Sequence, residues 1–588
     1  MNNTELPGLL TIAETSDFRR TGRIDEVERL CAAFSHKWRE AARVFEYGRS
    51  AQGRPLMALV VSRAGSLDPA ELRRRGVPLL MLQGGIHPGE SDGKDAGFIA
   101  LRELLSGEVA SGVLDRVAVL FVPAFNTDGH ERMGRANRPN QNGPEETGWR
   151  ATAHNLNLNR DYMKADAPEM QAMLRLLNQW DPLVCADLHV TDGADFEPDI
   201  SLQVEPINQG DVGLRASGTQ LRDALIGKLA AQGSLPLPFY PDLARTDDPA
   251  SGFVLTVYSP RFSTGYFPQR NRFTVLVETH SWKDYATRVR VTRNTIIGLV
   301  ELVGLHGEQW LREAREADSA AAHLGGVEMT LDYSSSWREH TKAGQAESQA
   351  DGANARIIEF RGYAYTRSLS PISGDLMTVY DPKTPQIWRV PLRDRVEASL
   401  VVRAPRGGYV VPAEHAEIVG MKLTLHGIAF ETLRQPLGKV QVEEFRIARA
   451  QFSPEPFEGR QRVALSGEWG VTQRDVPAGS LFVPIAQPRS RLIVALLEPQ
   501  APDSLGAWGF FNACFEQKEQ IEPYVAEQIA KAIFDSDAGL QAEFARKLQD
   551  DPAFAADPAA RLDFFCRRHA SYDERRHLYP ILRLDSSL

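Results

Sequence analysis

The sequence predicts an α/β fold with a mixed, mostly parallel sheet carrying helices on both faces, followed by a β-rich C-terminal domain and a helical tail. Three observations carry this. Short apolar runs alternate with helical patterns over the first 320 or so residues, which is the signature of a sheet with helices packed on it. Near residue 327 the pattern changes to short strand-like runs separated by glycine, proline and charge. From about residue 516 it becomes helical again.

The apolar runs of the first region lie at 79–82, 117–122, 183–188 and 273–277. Helical patterns lie between them at 96–105 and 167–180, the second opening on Pro168, where a proline fits the first turn. A long helical pattern over 287–317 closes the region. In sheets of this type, sites form beyond the carboxyl ends of the strands. The second region has strand-like runs at 355–360, 398–402, 408–411, 481–483 and 492–497. The expected division is therefore a catalytic-type domain at 1–320, a β-rich accessory domain at 325–515 and a helical segment at 516–588. No fixed-period repeat is present.

At 588 residues the chain exceeds one compact core. With 43% hydrophobic and 24% charged residues it is ordinary for a globular protein. A net charge of −10 argues against a nucleic-acid binder, and no run reaches the length of a membrane span. The four cysteines, Cys31, Cys185, Cys514 and Cys566, are far apart, so neither a disulfide framework nor a thiolate metal site is expected. The N-terminus shows neither a basic segment nor an apolar core of a signal peptide, so a cytoplasmic location is expected, with a trimmed export signal left open. Oligomeric state is not legible.

The chemistry begins at His87-Pro88-Gly89-Glu90, after the run 79–82 and the pair Gly84-Gly85. Imidazole and carboxylate are both normal Zn²⁺ ligands, and a catalytic zinc takes three protein ligands with one position left for water. A His-x-x-Glu pair also recurs by chance in a chain with 13 histidines. His189 ends the run 183–188 and is the candidate third ligand; a neighbouring parallel strand would bring it to the same edge. Glu278 follows Val275-Leu276-Val277, where desolvation would raise its pKa toward that of a general base. The alternative is a strand-end glutamate paired with a basic residue. Arg160, with Asn159 beside it, offers a planar fork for a carboxylate. Arg138 adds a second guanidinium in a turn-rich loop.

In order, His87/Glu90, Asn126-Thr127-Asp128-Gly129, Arg138, Asn159-Arg160, His189 and Glu278 resemble the M14 family of zinc metallocarboxypeptidases, and Gly48 to Arg54 resembles its early Gly-x-Ser-x-x-Gly-Arg turn. The resemblance covers about residues 15–315, and the longer strings look like a bacterial subgroup with a β-rich C-terminal extension. It implies a zinc-carboxypeptidase-like fold and one Zn²⁺ on His87, Glu90 and His189. It implies Glu278 as general base, Arg138 as oxyanion donor and Asn159 with Arg160 as the carboxylate clamp. It also implies Tyr266 as the tyrosine covering the substrate, with Tyr258 and Tyr285 nearby in sequence. The implied substrate is a peptide, or an N-acyl amino acid, with a free carboxylate. The alternatives are an M14-like deacylase or amidase acting on N-acyl amino acids or cell-wall peptides, and a binding protein on an inactive peptidase fold.

The sequence departs from the family in three places. Asn157 stands where an aspartate often supports the first zinc histidine, and its amide is expected to accept an Nδ1–H bond. The segment between Arg138 and Asn159 is long, which makes Arg135 and Arg150 rivals for the oxyanion role. His280 either tunes the base or caps its strand. Arg270 and Arg272 are expected either to favour an acidic substrate side chain or to form a solvated strand edge. The cluster at 509–512 is expected to pack rather than to line a groove, and the β-rich region is a candidate docking module or lid.

Overall fold

The computed structural model describes residues 7–335, 355–516, 518–519, 521–573 and 575–586. Its first region contains β1 (Ala42–Arg49), β2 (Pro55–Val61), β3 (Leu79–Gly84), β4 (Ala118–Val122), β5 (Val184–Val190), β6 (Ile200–Glu205), β7 (Pro236–Leu237), β8 (Phe253–Val254) and β9 (Phe273–Thr279). All but β8 form one eight-stranded sheet in the order β1-β2-β4-β3-β5-β9-β6-β7. β4, β3, β5 and β9 run parallel through its centre. β1, β2 and β6 pair antiparallel toward the edges. The four central strands are buried along their whole length, as parallel strands covered on both faces require.

Alternation assigns the two faces. Leu80, Leu82, Val119, Phe121, Val275 and Val277 pack with the helices Ile24–Lys37, Asp92–Ser106, Arg215–Ala231 and Tyr285–Ala321. Leu79, Met81, Ala118, Leu120 and Cys185 point the other way, onto Pro168–Trp180 and Ser263–Gln269. That second core continues without a break into Val402, Tyr409, Val411, Leu492 and Tyr579. The accessory region therefore covers part of a sheet face that helices alone were expected to cover.

The second region adds β10 (Glu328–Ser335), β11 (Arg356–Leu369), β12 (Leu376–Arg393), β13 (Val396–Arg403), β14 (Gly408–Val411), β15 (Glu431–Thr432), β16 (Leu437–Phe452), β17 (Val463–Val476) and β18 (Leu481–Pro484). β11 and β12 form a long hairpin that pairs with β8, tying it to the first region. A six-stranded sheet has the order β15-β18-β14-β19-β16-β17, where β19 (Leu582–Leu584) comes from the end of the tail. The tail is otherwise helical, at Pro523–Ser536, Ala538–Asp550, Pro552–Ala556 and Pro558–Cys566.

The run 492–497, expected as a strand, lies in the helix Ser490–Leu497, of which seven residues are buried. A short, wholly apolar run has the same pattern in a buried helix as in a buried strand. All four cysteines are free. Among the described residues no helix is long and apolar enough to cross a membrane.

Candidate active site

β3 ends in Gly84, and Gly85 takes a left-handed φ of 65°, where a Cβ would lie 3.2 Å from Ala124 Cα. Only glycine meets both conditions without strain. The chain then turns through His87 to Glu90, whose amide donates to His87 carbonyl (2.9 Å), and enters the helix Asp92–Ser106. Gly89 is fixed by packing: a Cβ there would lie 2.5 Å from Arg138 Cγ. His189 arrives from β5, which neighbours β3 in parallel register, so the three candidate ligands meet as the sequence implied.

They meet closely. His87, Glu90 and His189 are buried, and their donor atoms lie within 4.8 Å of one another. His87 Nδ1 is 3.0 Å from Glu90 Oε1, and His189 Nδ1 is 2.9 Å from Glu90 Oε2. The opposite ring nitrogens face oxygen acceptors. His87 Nε2 is 3.1 Å from Asn157 Oδ1, and His189 Nε2 is 3.1 Å from Asp187 Oδ2. Asn157 Oδ1 also accepts from Asn159 N (2.9 Å), which identifies it as the amide oxygen, so His87 Nε2 carries the proton. Asn157 therefore supports His87 as anticipated, but through Nε2 rather than Nδ1.

This donor set fits a zinc ion. Both Nδ1 atoms converge on one carboxylate, His87 Nε2 is held by Asn157, and the Asp187 carboxylate stands 3.1 Å from His189 Nε2, oxygen groups of the kind that orient ligating imidazoles. Burial pushes the His87 imidazole down to about 4, so it is neutral at physiological pH. Burial also disfavours charge on His189, but Asp187 and Glu90 outweigh it and raise its pKa. Two carboxylates there demand a positive charge, which a bound cation supplies.

Glu278 stands opposite His189 in the register of β5 and β9. It is 8% exposed, and its Oε2 is buried without a hydrogen-bond partner. Burial pushes its pKa up to about 8, with Glu90 adding to the rise against the pull of His189. A carboxyl group that titrates near neutrality and faces no fixed donor matches what general-base chemistry requires.

These four residues line one cleft of about 190 Å³ together with Arg150, Asn159, Arg160, Asp192, Tyr240 and Tyr258. Arg160 lies over the Phe262 ring (4.4 Å) and donates to Asn159 carbonyl (2.7 Å). Burial and the neighbouring Arg150 lower its pKa to about 10, which leaves it charged at pH 7. Asn159 Oδ1 is buried without a partner.

The two arginines nearest Glu90 differ in placement. Arg138 is held by Glu90 Oε1 (3.1 Å), Asp192 (3.4 Å) and Gln141 (3.2 Å), and it does not line the cleft. Arg150 does line it, 3.6 Å from Glu90. Arg135 is exposed and does not line the cleft. Arg138 thus packs on Glu90 beside the cleft, and Arg150 is the one of the two that lines it.

Tyr266 lies apart from the cleft lining. It is fully buried, and its hydroxyl donates to His426 Nδ1 (3.0 Å), the other ring nitrogen being bound to Met163 carbonyl (3.0 Å). It seals the contact with the accessory region, and Tyr258 and Tyr240 line the cleft instead. Arg270 and Arg272 lie at the opposite end of β9 from Glu278, where Arg272 is buried on Asp181 (2.6 Å) and Asp318 (2.9 Å), so neither reaches a substrate at the cleft. His280 stacks on Phe196 (4.0 Å) and accepts from its amide (3.3 Å), fixing the loop that carries Asp192.

The Asn-x-Asp-Gly and Gly-x-Ser-x-x-Gly-Arg motifs form one structural unit. Asp128 accepts from Ser50 Oγ (2.7 Å), Gln52 N (3.0 Å) and Arg54 (2.7 Å). Phe510 packs under Arg460 (3.6 Å), a contact within the accessory region.

Sequence reasoning missed Asp187, which also holds Gln83 (2.7 Å) and Ser263 (2.6 Å). Its signal was available, since it sits two residues before His189 on a strand and so shares its face. Asp192 and Tyr240 had no such signal, because loops beyond the sheet bring them in.

Residues 27–194 match the model of the zinc carboxypeptidase family M14. Among solved structures, the chain is similar to a metallo-carboxypeptidase from Burkholderia cenocepacia (15% identity, TM-score 0.34, covering 47% of this chain and 68% of that one). It is also similar to carboxypeptidase A from Helicoverpa armigera (15%, 0.35, 50% and 74%). A third is the metallo-carboxypeptidase from Pseudomonas aeruginosa in complex with (2-guanidinoethylmercapto)succinic acid (16%, 0.34, 48% and 69%). At these identities and scores the likenesses say nothing of the reaction. No curated protein matches the chain.

Proposed function

We propose that the protein is a zinc-dependent metallocarboxypeptidase that removes the C-terminal residue of a peptide. The observation that carries this reading is the His87–Glu90–His189 cluster sharing one cleft with the partnerless Glu278 carboxyl group. His87, Glu90 and His189 would hold Zn²⁺, which supplies Lewis acidity toward the scissile carbonyl and brings the pKa of a water molecule toward 7. Glu278 accepts that water's proton and returns it to the departing amine. Arg150 offers guanidinium donors to the oxyanion that develops on the carbonyl. Asn159 and Arg160 hold the terminal carboxylate, which makes the enzyme an exopeptidase.

The test is a cleavage profile on a peptide pool with free and amidated C-termini, resolved by mass spectrometry. Stepwise loss of terminal residues from the free peptides alone supports the reading. Internal cleavage, or equal attack on amidated ends, contradicts it. Hydrolysis of N-acyl amino acids without any peptide shortening would favour a deacylase.

A further inference from the structure

Among the described residues, the turn between β16 and β17 brings the accessory region next to the candidate metal centre. Glu458 Oε2 accepts the backbone N–H of Asn157 (2.7 Å), and Asn157 Oδ1 accepts from His87 Nε2 (3.1 Å). A residue 301 positions further along the chain thus lies two hydrogen bonds from a candidate zinc ligand.

The turn is built to hold this contact. Glu458 takes a left-handed φ of 52°, a costly conformation for a residue with a long side chain. Its flanks are fixed on both sides. Phe457 exchanges backbone bonds with Arg460 (2.8 and 3.1 Å) and stacks on Trp508 at 6.1 Å. Arg460 grips Asp166 of the first region with two bonds (2.6 and 2.9 Å). Gly459, at φ 76°, approaches Leu156, the residue before Asn157, with its Cβ position 3.5 Å from Leu156 Cδ2.

On the other side, Asn157 is held by its own turn, its carbonyl accepting from Arg160 N (3.0 Å). It initiates the short turn Leu158–Arg160 and orients its amide by accepting from Asn159 N (2.9 Å). Its backbone N–H points out of that turn, and Glu458 is what receives it. If Asn157 rotates, His87 loses its Nε2 acceptor, and the backbone that presents Asn159 and Arg160 shifts as well.

We infer that Glu458 is a positioning residue: the accessory region uses its carboxylate to lock Asn157, and through Asn157 it sets the orientation of His87 toward the metal. This rests on the zinc reading above. The role belongs to an acceptor oxygen at that point, so a glutamine can fill it and an alanine cannot.

The experiment uses the full-length, zinc-loaded protein and follows zinc release to a chelator alongside kcat and KM. Glu458→Ala should release zinc about tenfold faster, the lower end of what losing an outer support of a metal ligand costs. It should lower kcat and also raise KM, because the turn that presents Asn159 and Arg160 moves with Asn157. Glu458→Gln should stay close to the unmodified protein. Asn157→Ala combined with Glu458→Ala should release zinc no faster than Asn157→Ala alone, because both act through one link. Unchanged release from Glu458→Ala overturns the inference. Additive effects in the double variant, or a glutamine variant as impaired as the alanine one, also overturn it. If the unmodified protein holds no zinc at all, the functional reading falls; if it holds zinc and Glu458→Ala retains it equally, only this inference falls.

Discussion

His189 and Glu278 are direct cross-strand partners on adjacent parallel strands, one turning its imidazole Nδ1 to Glu90 and the other leaving a carboxylate oxygen without a partner. The register of two rigid, fully buried strands thus sets the distance between a candidate metal ligand and the candidate base. No loop movement is needed to assemble the pair, which is the kind of preorganisation that holds a catalytic constellation in place.

Glu278→Gln should keep zinc and lower kcat by about 10²–10⁴-fold, the usual contribution of a positioned base. The metal-free protein gives a second readout. The folded-state pKa of Glu278, about 8, lies above its ordinary value of 4.5. Its stabilising contribution is therefore complete below about 4.5 and lost as pH rises through about 8. Urea unfolding of the metal-free protein at pH 5 and pH 9 should show a loss on the order of 3–5 kcal/mol from this group. Glu278→Gln should abolish that component. An equal loss in both proteins would contradict the assignment.

Asp187→Asn should weaken zinc binding by about 10–100-fold, because it takes the carboxylate from behind His189 while leaving the ring its shape. Competition against a chelator of known affinity measures this. Unchanged affinity would show that Asp187 serves only Gln83 and Ser263.

Arg150 and Arg138 should separate kinetically. Arg150→Ala should retain zinc and lower kcat by about 10²–10³-fold, as loss of an oxyanion donor does. Arg138→Ala should instead weaken zinc binding, because Arg138 steadies Glu90 from outside the cleft. Steady-state kinetics with metal analysis on both variants checks the division. The reverse pattern would restore Arg138 to the oxyanion role.

Tyr266→Phe should leave kcat and KM within about twofold and lower stability by about 1 kcal/mol, the net worth of one buried hydrogen bond. Thermal unfolding and peptide kinetics together test it. A large fall in kcat would return Tyr266 to the cleft.

How much of this was legible follows from the range of each interaction. His87, Glu90, His189 and Glu278 sit at or just beyond the ends of central strands, so an apolar run followed by a ligand-type residue marks them. Pro168 and the apolar pattern mark the helix that follows it to within a residue. The choice between Arg138 and Arg150 depends on how a long loop folds over Gly89, which no local pattern encodes. Tyr266 looked available because burial against His426 is set by a partner 160 residues away. The run 492–497 was misassigned for lack of any polar residue to reveal its period. The joining of β19 to β14 and β16 is likewise a long-range pairing, invisible in a three-residue strand.

The most direct test of the central claim is a zinc titration of chelator-stripped protein, comparing the unmodified chain with His87→Ala and His189→Ala. The account predicts about one tightly bound zinc per unmodified chain, peptide shortening that returns in proportion to that zinc, and loss of both in each variant. A chain that binds no zinc, or one whose binding and turnover survive both substitutions, would contradict it.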